Sequence, residues 1–263
     1  MSTQKEKQSP AYPVPALEQG LDLLEFVLRN PEAMTQRQIA NHLQKPASTA
    51  FRLLSCLERR GYLQRDDETG VYRPTLQLYG LAQLHPAHRR FREIAAGPMR
   101  ELSRELGESC HLSVLDGGQV RIIANQHSPF AHSLDVRPGT VYSVAQASSG
   151  RLLLAHMPED QAWSLYESQE KTGDTEPLGR DELLRELRKL RRAGYCVRPS
   201  RLTPGVLDVG LHLDGDWLGA GVVLIIPCLK KWSRNEQRDI VLPAARRAAE
   251  RISEIVRRSS GEL

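Results

Sequence analysis

The chain has 263 residues, room for two domains at roughly 150 residues each. Hydrophobic residues make up 40% and charged residues 26%, which excludes a disordered, collagen-like or low-complexity chain. Its net charge of +4, from 36 Lys and Arg against 32 Asp and Glu, is compatible with a polyanionic partner but too small to show one.

Residues 1–13 are polar and carry prolines, and they read as a flexible arm. From Ala16 apolar residues recur at helical spacing, with Leu17, Leu21, Leu24 and Leu28 on one stripe that ends at Asn30-Pro31. A second, short helix follows, with Thr35 as N-cap and Ile39, Ala40 and Leu43 on its apolar face. Gln44-Lys45 makes a tight turn into a third helix, which opens at Pro46 and runs to Arg60, with Gly61 as its C-cap. Ala50, Leu53, Leu54 and Leu57 are its core positions. Residues 62–65 and 71–73 then alternate as strands around the turn Asp66–Gly70, a β-hairpin. Three helices and a hairpin within 14–75, two of the helices joined by a very short turn, describe a winged helix-turn-helix.

Residues 76–88 read as a linker helix interrupted at His85-Pro86, and 89–263 as a second domain. Its helix ends at Leu106 before Gly107. Strands at 110–116 and 119–125 flank the hairpin turn Asp116-Gly117-Gly118, with weaker strands at 134–136 and 141–144. Helices are expected at 149–156, 158–168 and 180–193, and strands at 195–198, 206–213 and 217–226, the last two turning through 214–216. A final amphipathic helix runs from Ser233 to Arg258. The fold class is α+β: an antiparallel sheet with helices packed on it.

Packing decides which residues of the first domain are free for function. With Ala50, Leu53, Leu54 and Leu57 turned inward, Ser48, Thr49, Arg52 and Ser55 face outward near a helix N-terminus. That surface suits the major groove of duplex DNA, where Arg grips guanine and hydroxyls bond phosphates or bases. Gln36 and Lys45 flank it, and Arg65 and Arg73 on the hairpin would reach the backbone or minor groove. Any amphipathic helix has a polar face, and charge adds nothing here, because residues 1–85 hold ten Lys/Arg against nine Asp/Glu. The joint occurrence of short turn, hydroxyl-and-arginine face and wing carries the reading.

Several segments resemble the IclR family of bacterial transcriptional regulators: 15–25 (PALEQGLDLLE), 46–54 (PASTAFRLL), 57–63 (LERRGYL) and 67–73 (DETGVYR). The likeness continues through 111–117 (HLSVLDG), 150–155 (GRLLLA), Gly194-Tyr195 and 204–206 (PGV), over about residues 14–258. It implies a GAF-like effector-binding second domain, a homodimer or homotetramer, and ligand control of affinity for operator DNA. Ala47, Ala145 and Arg151 stand where the family usually has lysine, histidine and lysine. One branch binds small keto acids through an aspartate, a cysteine and two serines; Arg198, Asp208, Val222 and Leu224 stand there, so a different ligand is expected.

Ser148-Ser149-Gly150 opens a helix, where free N–H groups and hydroxyls meet a positive dipole end suited to a carboxylate. Equally, either serine could be a plain N-cap. The effector is expected to be a small organic acid, aromatic in one version, held by Ser148, Ser149 and Arg198. Ala131, Leu134, Tyr142, Val206, Val222 and Leu224 would form the apolar wall. Arg198 and Asp208 could instead pair with each other across adjacent strands.

An enzyme has little support. The chain lacks G-x-S-x-G, H-E-x-x-H, P-loop and G-x-G-x-x-G motifs. His127 and His132 read as solvated loop histidines rather than metal ligands, and no cofactor is expected. Cys110 and His111 are adjacent on a strand, so they point to opposite faces and cannot pair as nucleophile and base. The four cysteines are widely spaced, with no C-x-x-C pair. No apolar signal segment or 18-residue apolar run occurs, and a cytoplasmic protein without membrane contact is expected. The alternatives are a small-molecule enzyme with a vestigial helix-turn-helix, and a DNA-binding protein without effector.

Overall fold

The computed structural model describes residues 14–30, 32–84, 86–131, 133–169, 178–213, 221–229 and 233–260. The arm, His85, His132, the turn 214–216 and the expected strand start at Trp217 lie outside these. The chain divides into two units, Met1–His85 and Pro86–Leu263. Among the described residues no helix is long and apolar enough to cross a membrane.

In the first unit α1 (Pro15–Arg29) packs Leu23, Leu24 and Val27 inward, and Leu17, Leu21 and Leu28 remain exposed. The strand β1 (Met34–Thr35) precedes α2 (Gln36–His42), whose start is fixed by a capping box. Thr35 Oγ1 accepts from Gln38 N, and Gln38 Oε1 accepts from Thr35 N at 2.8 Å, so two otherwise unmet donors are satisfied. Gln44, at φ 52°, makes the left-handed turn into α3 (Ala47–Arg59), with Pro46 as its N-cap rather than its first residue. Ala50 and Leu54 are buried, and Leu53 and Leu57 pack against the core of Leu23, Ile39, Leu54, Leu63 and Tyr72.

The strands β2 (Leu63–Arg65) and β3 (Val71–Pro74) form the wing, and β1 adds to β3, giving the order β1-β3-β2. Two-residue β1 was not legible in the sequence, because period two cannot register over one pair of residues. Asp66 shapes the wing turn: its Oδ1 accepts from Thr69 N, Thr69 Oγ1 and Glu68 N at 2.8, 2.7 and 3.1 Å. These bonds, the one from the Thr69 backbone foremost, hold its carboxyl below the usual range. The expected linker helix is divided. The helix α4 (Gln77–Gln83) belongs to the first unit, and α5 (Pro86–Leu106) opens the second.

The second unit is built on a six-stranded antiparallel sheet of order β6-β5-β4-β9-β8-β7. Its strands are β4 (Cys110–Asp116), β5 (Gln119–Gln126), β6 (Val141–Tyr142), β7 (Tyr195–Pro199), β8 (Val206–Leu213) and β9 (Val222–Leu229). The β4–β5 turn puts Gly117 and Gly118 at φ 55° and 80°, which two glycines adopt without steric penalty. Residues 134–136 are not a strand. Leu134 instead gives its carbonyl to the Ser109 hydroxyl.

Both sheet faces are covered. One carries α5 and α10 (Leu242–Ser260), with Leu112, Val222, Leu224 and Ile226 pointing into that layer. The other carries α6 (Ser148–Ala155), α7 (Glu159–Gln169) and α8 (Arg180–Ala193), facing Val223 and Ile225. The expected last helix is broken: α9 (Arg234–Glu236) runs into a π-turn at Gln237–Val241 before α10. Pro243, with no N–H and a ring that crowds the preceding turn, accounts for the widening.

Candidate functional site

Two surfaces carry the residues singled out in the sequence. On α3 the buried pair Ala50 and Leu54 fixes the rotation of the helix, which leaves Ser48 and Arg52 exposed and Thr49 and Ser55 half-buried. Lys45 is exposed in the turn before it. Gln36 has a structural bond: its Nε2 donates to Ala47 O at 3.1 Å, tying α2 to the first residue of α3. Phe51 was missed. It is 53% exposed and completes a stripe Ser48–Phe51–Arg52–Ser55 at helical spacing. That position follows from the same period once Ala50 and Leu54 are taken as core. Arg65 and Arg73 are both exposed, but Arg65 pairs opposite Tyr72 and Arg73 opposite Gln64. They therefore leave the wing from opposite faces rather than acting as one patch.

The second surface is a cleft of about 160 Å³ in the second unit, bounded by the start of α6, β8, and the loops before β6 and β8. Of the ten expected effector residues, Leu134, Tyr142, Ser148, Ser149, Val206 and Asp208 line it. Four do not. Val222 and Leu224 are fully buried in the α5–α10 layer. Side chains alternate along β9, so Ile225 and Pro227 reach the cleft instead, a shift in parity that the resemblance could not resolve. Ala131 is exposed outside the lining. Arg198 is the cross-strand neighbour of Asp208, yet its Nη1 pairs with Glu186 Oε1 of α8 at 2.5 Å. It shares a sheet face with Asp208 but is not among the residues lining the cleft, and its ion pair is with Glu186 rather than Asp208.

The chemistry of the cleft centres on Asp208. Its Oδ2 accepts from Ser148 Oγ at 2.7 Å, and it also accepts from the Ser200 hydroxyl. Burial pushes its carboxyl above the usual range, against the pull of these bonds and of the Arg198 charge. The N-cap of α6 is Ala147, so Ser148 and Ser149 are the first helical residues, not caps, and their N–H groups belong to the unpaired first turn. Gly150 lets this turn sit against Val144, because a Cβ there would lie 2.4 Å from the Val144 carbonyl oxygen. The cleft also holds His111, missed as a lining residue although its strand parity was read. Burial lowers its pKa to about 4, so the imidazole is neutral. Cys110, on the opposite face, packs in the core, and burial raises its thiol to about 12. His127 pairs with Asp135 at 3.0 Å. Among the described residues no Lys or Arg lines the cleft.

Residues 16–67 match the IclR helix-turn-helix domain, and residues 86–254 match the bacterial transcriptional regulator IclR C-terminal domain. Among relatives, the HTH-type transcriptional regulator BhcR of Paracoccus denitrificans is 27% identical over 240 residues, covering 88% of this chain and 85% of its own. XynR of Escherichia coli is 26% identical over 200 residues, 75% of this chain and 79% of its own. Solved structures share the fold. An IclR homologue of Microbacterium hydrocarbonoxydans complexed with 4-hydroxybenzoate has a TM-score of 0.74 at 22% identity, covering 92% of this chain and 99% of that one. The Thermotoga maritima IclR gives 0.67 at 23% identity, covering 90% and 97%. With both halves matched in order, the chain belongs to the IclR family of transcriptional regulators, which join a helix-turn-helix DNA-binding domain to an effector-binding domain.

Proposed function

We propose that α3 reads operator DNA with Ser48, Arg52 and Ser55, helped by Thr49 and Lys45, while Arg65 and Arg73 touch flanking phosphates. The exposed stripe on α3 carries this reading. Gln36 acts by fixing α2 against α3 rather than by touching a base. Domain limits near 14–75 and 89–263 follow the same division of labour, and the protein acts in the cytoplasm without catalytic turnover. It works as a homodimer or a pair of dimers. Leu17 and Leu21 on α1, with Leu76, Tyr79 and Leu84 around α4, are too much exposed apolar surface for a free chain.

The effector is a small organic acid with a hydroxyl group, aromatic in shape. A cleft of about 160 Å³ is close to the ~150 Å³ cavity that holds one benzene ring. Its carboxylate meets the first-turn N–H groups of α6 and the Ser149 hydroxyl, and the ring lies between Leu134, Val206 and Ile225. Its hydroxyl bonds Asp208. The relative bound to 4-hydroxybenzoate supports this class. Effector binding changes operator affinity by linkage, because one arrangement of the dimer binds the ligand better.

The test uses a duplex selected from a random pool by the full-length protein, followed by fluorescence anisotropy with and without 4-hydroxybenzoate and related acids. The reading requires a preferred duplex and a shift in its Kd on adding one of these acids. No preference over random DNA removes the DNA reading. A preferred duplex whose Kd no acid shifts, with no heat of acid binding in calorimetry, removes the effector class alone.

A further inference from the structure

Arg151, one turn into α6, is only 1% exposed. Its guanidinium lies over the Tyr166 ring, with Cζ 4.4 Å from the centroid, and its Nη2 reaches the Tyr166 hydroxyl at 3.4 Å. Its Nε and Nη1 have no hydrogen-bond partner among the described residues. A buried cation with two unmet N–H groups is among the most costly arrangements in a fold unless an anion answers it.

Among the described residues nothing answers it. Two further arginines share the neighbourhood: Arg198 on β7 and Arg201 in the loop that follows. The carboxylate of Glu186 is already taken by Arg198 at 2.5 Å. Arg201 is an exposed residue, and partial burial of its side chain, then repulsion from Arg151 and Arg198, lowers its pKa. The Tyr166 hydroxyl accepts from Leu178 N at 3.2 Å and from Arg151, which leaves its own proton to donate.

We propose that Arg151, Arg201 and the Tyr166 hydroxyl form a binding site for a small oxyanion, separate from the effector cleft. Guanidinium forks suit phosphate, sulfate or carboxylate, each of which offers several acceptors at once. None of the three residues lines the cleft, whereas Ser200 and Leu202, on either side of Arg201, do. Arg201 therefore sits in a loop that forms one wall of the cleft. An anion bound to Arg201 holds that wall of the effector site in place.

The test is thermal unfolding of the full chain in a phosphate-free amine buffer, titrated with inorganic phosphate, sulfate or acetate against sodium chloride of matched ionic strength. The wild type is expected to gain several degrees in Tm with one of the oxyanions beyond the chloride control. Acetate alone acting identifies a carboxylate site, and phosphate or sulfate acting identifies a tetrahedral one. Arg201→Glu supplies an internal carboxylate, so its Tm in anion-free buffer is expected to rise and its oxyanion response to vanish. Arg151→Met removes the orphaned charge and is expected to abolish the response as well. Absence of an oxyanion-specific response in the wild type overturns the proposal. So does a response that persists undiminished in Arg201→Glu, which would place the ion elsewhere.

Discussion

Lowering the pH should destabilise the second unit through His111, by an amount that follows from its burial. The imidazole lies on β4 at the cleft, 7% exposed, and burial depresses its pKa from 6.5 to about 4. The unfolded chain takes up this proton near pH 6.5, the folded chain only near pH 4. The contribution of the neutral imidazole is therefore complete above pH 6.5 and is lost as the pH falls through that window. At ~1.4 kcal/mol per pH unit the full loss is about 3 kcal/mol. The control is His111→Gln, which cannot titrate. Urea unfolding followed by tryptophan fluorescence reads the second unit, since Trp163, Trp217 and Trp232 all lie in it. Between pH 7 and pH 4 the wild type should lose about 3 kcal/mol more than the variant. Parallel pH profiles for the two proteins would refute the argument that burial keeps His111 neutral.

Three further outcomes follow from the same geometry. Asp208, raised by burial, repels a carboxylate ligand once ionised. Calorimetric affinity for an acid effector should therefore weaken as the pH rises from 3.8 through its shifted pKa, and Asp208→Asn should flatten that dependence. Gly150→Ala places a Cβ 2.4 Å from the Val144 carbonyl oxygen. Overpacking of this kind costs about 1–3 kcal/mol, read as a lower midpoint in urea and weaker effector binding. Charging the exposed face of α1 with Leu17→Asp and Leu21→Asp should reduce the sedimentation mass to that of one chain. An unchanged mass would move the dimer contact elsewhere.

Much of this fold was legible because its signals are local. The helix α1, the Thr35 cap, the Gly117-Gly118 turn and the 180–193 helix each rest on a few adjacent residues and stand where the pattern placed them, although of the expected α1 stripe only Leu24 is buried. Long-range features were not legible. Strand β1 exists only because β3 offers it a partner. The π-turn before α10 depends on how Pro243 meets its own preceding turn. In the cleft, Ser148, Ser149 and Asp208 could be placed through the helix start and the family likeness. Val222 and Leu224 failed because a one-residue ambiguity on a strand reverses the face. Arg198 failed because Glu186, twelve residues earlier on a different element, competes for it.

The claim on which most rests is that packing of Ala50 and Leu54 turns Arg52 toward DNA bases. Its most direct measurement is a specificity cycle: Kd of wild type and Arg52→Ala for the selected duplex and for each single-base variant. The account predicts half-sites about one helical turn apart, and a loss of about 1–3 kcal/mol confined to one base pair in each half-site, where Arg52→Ala no longer discriminates. Equal weakening across every duplex, random DNA included, would contradict it and reduce Arg52 to a phosphate contact.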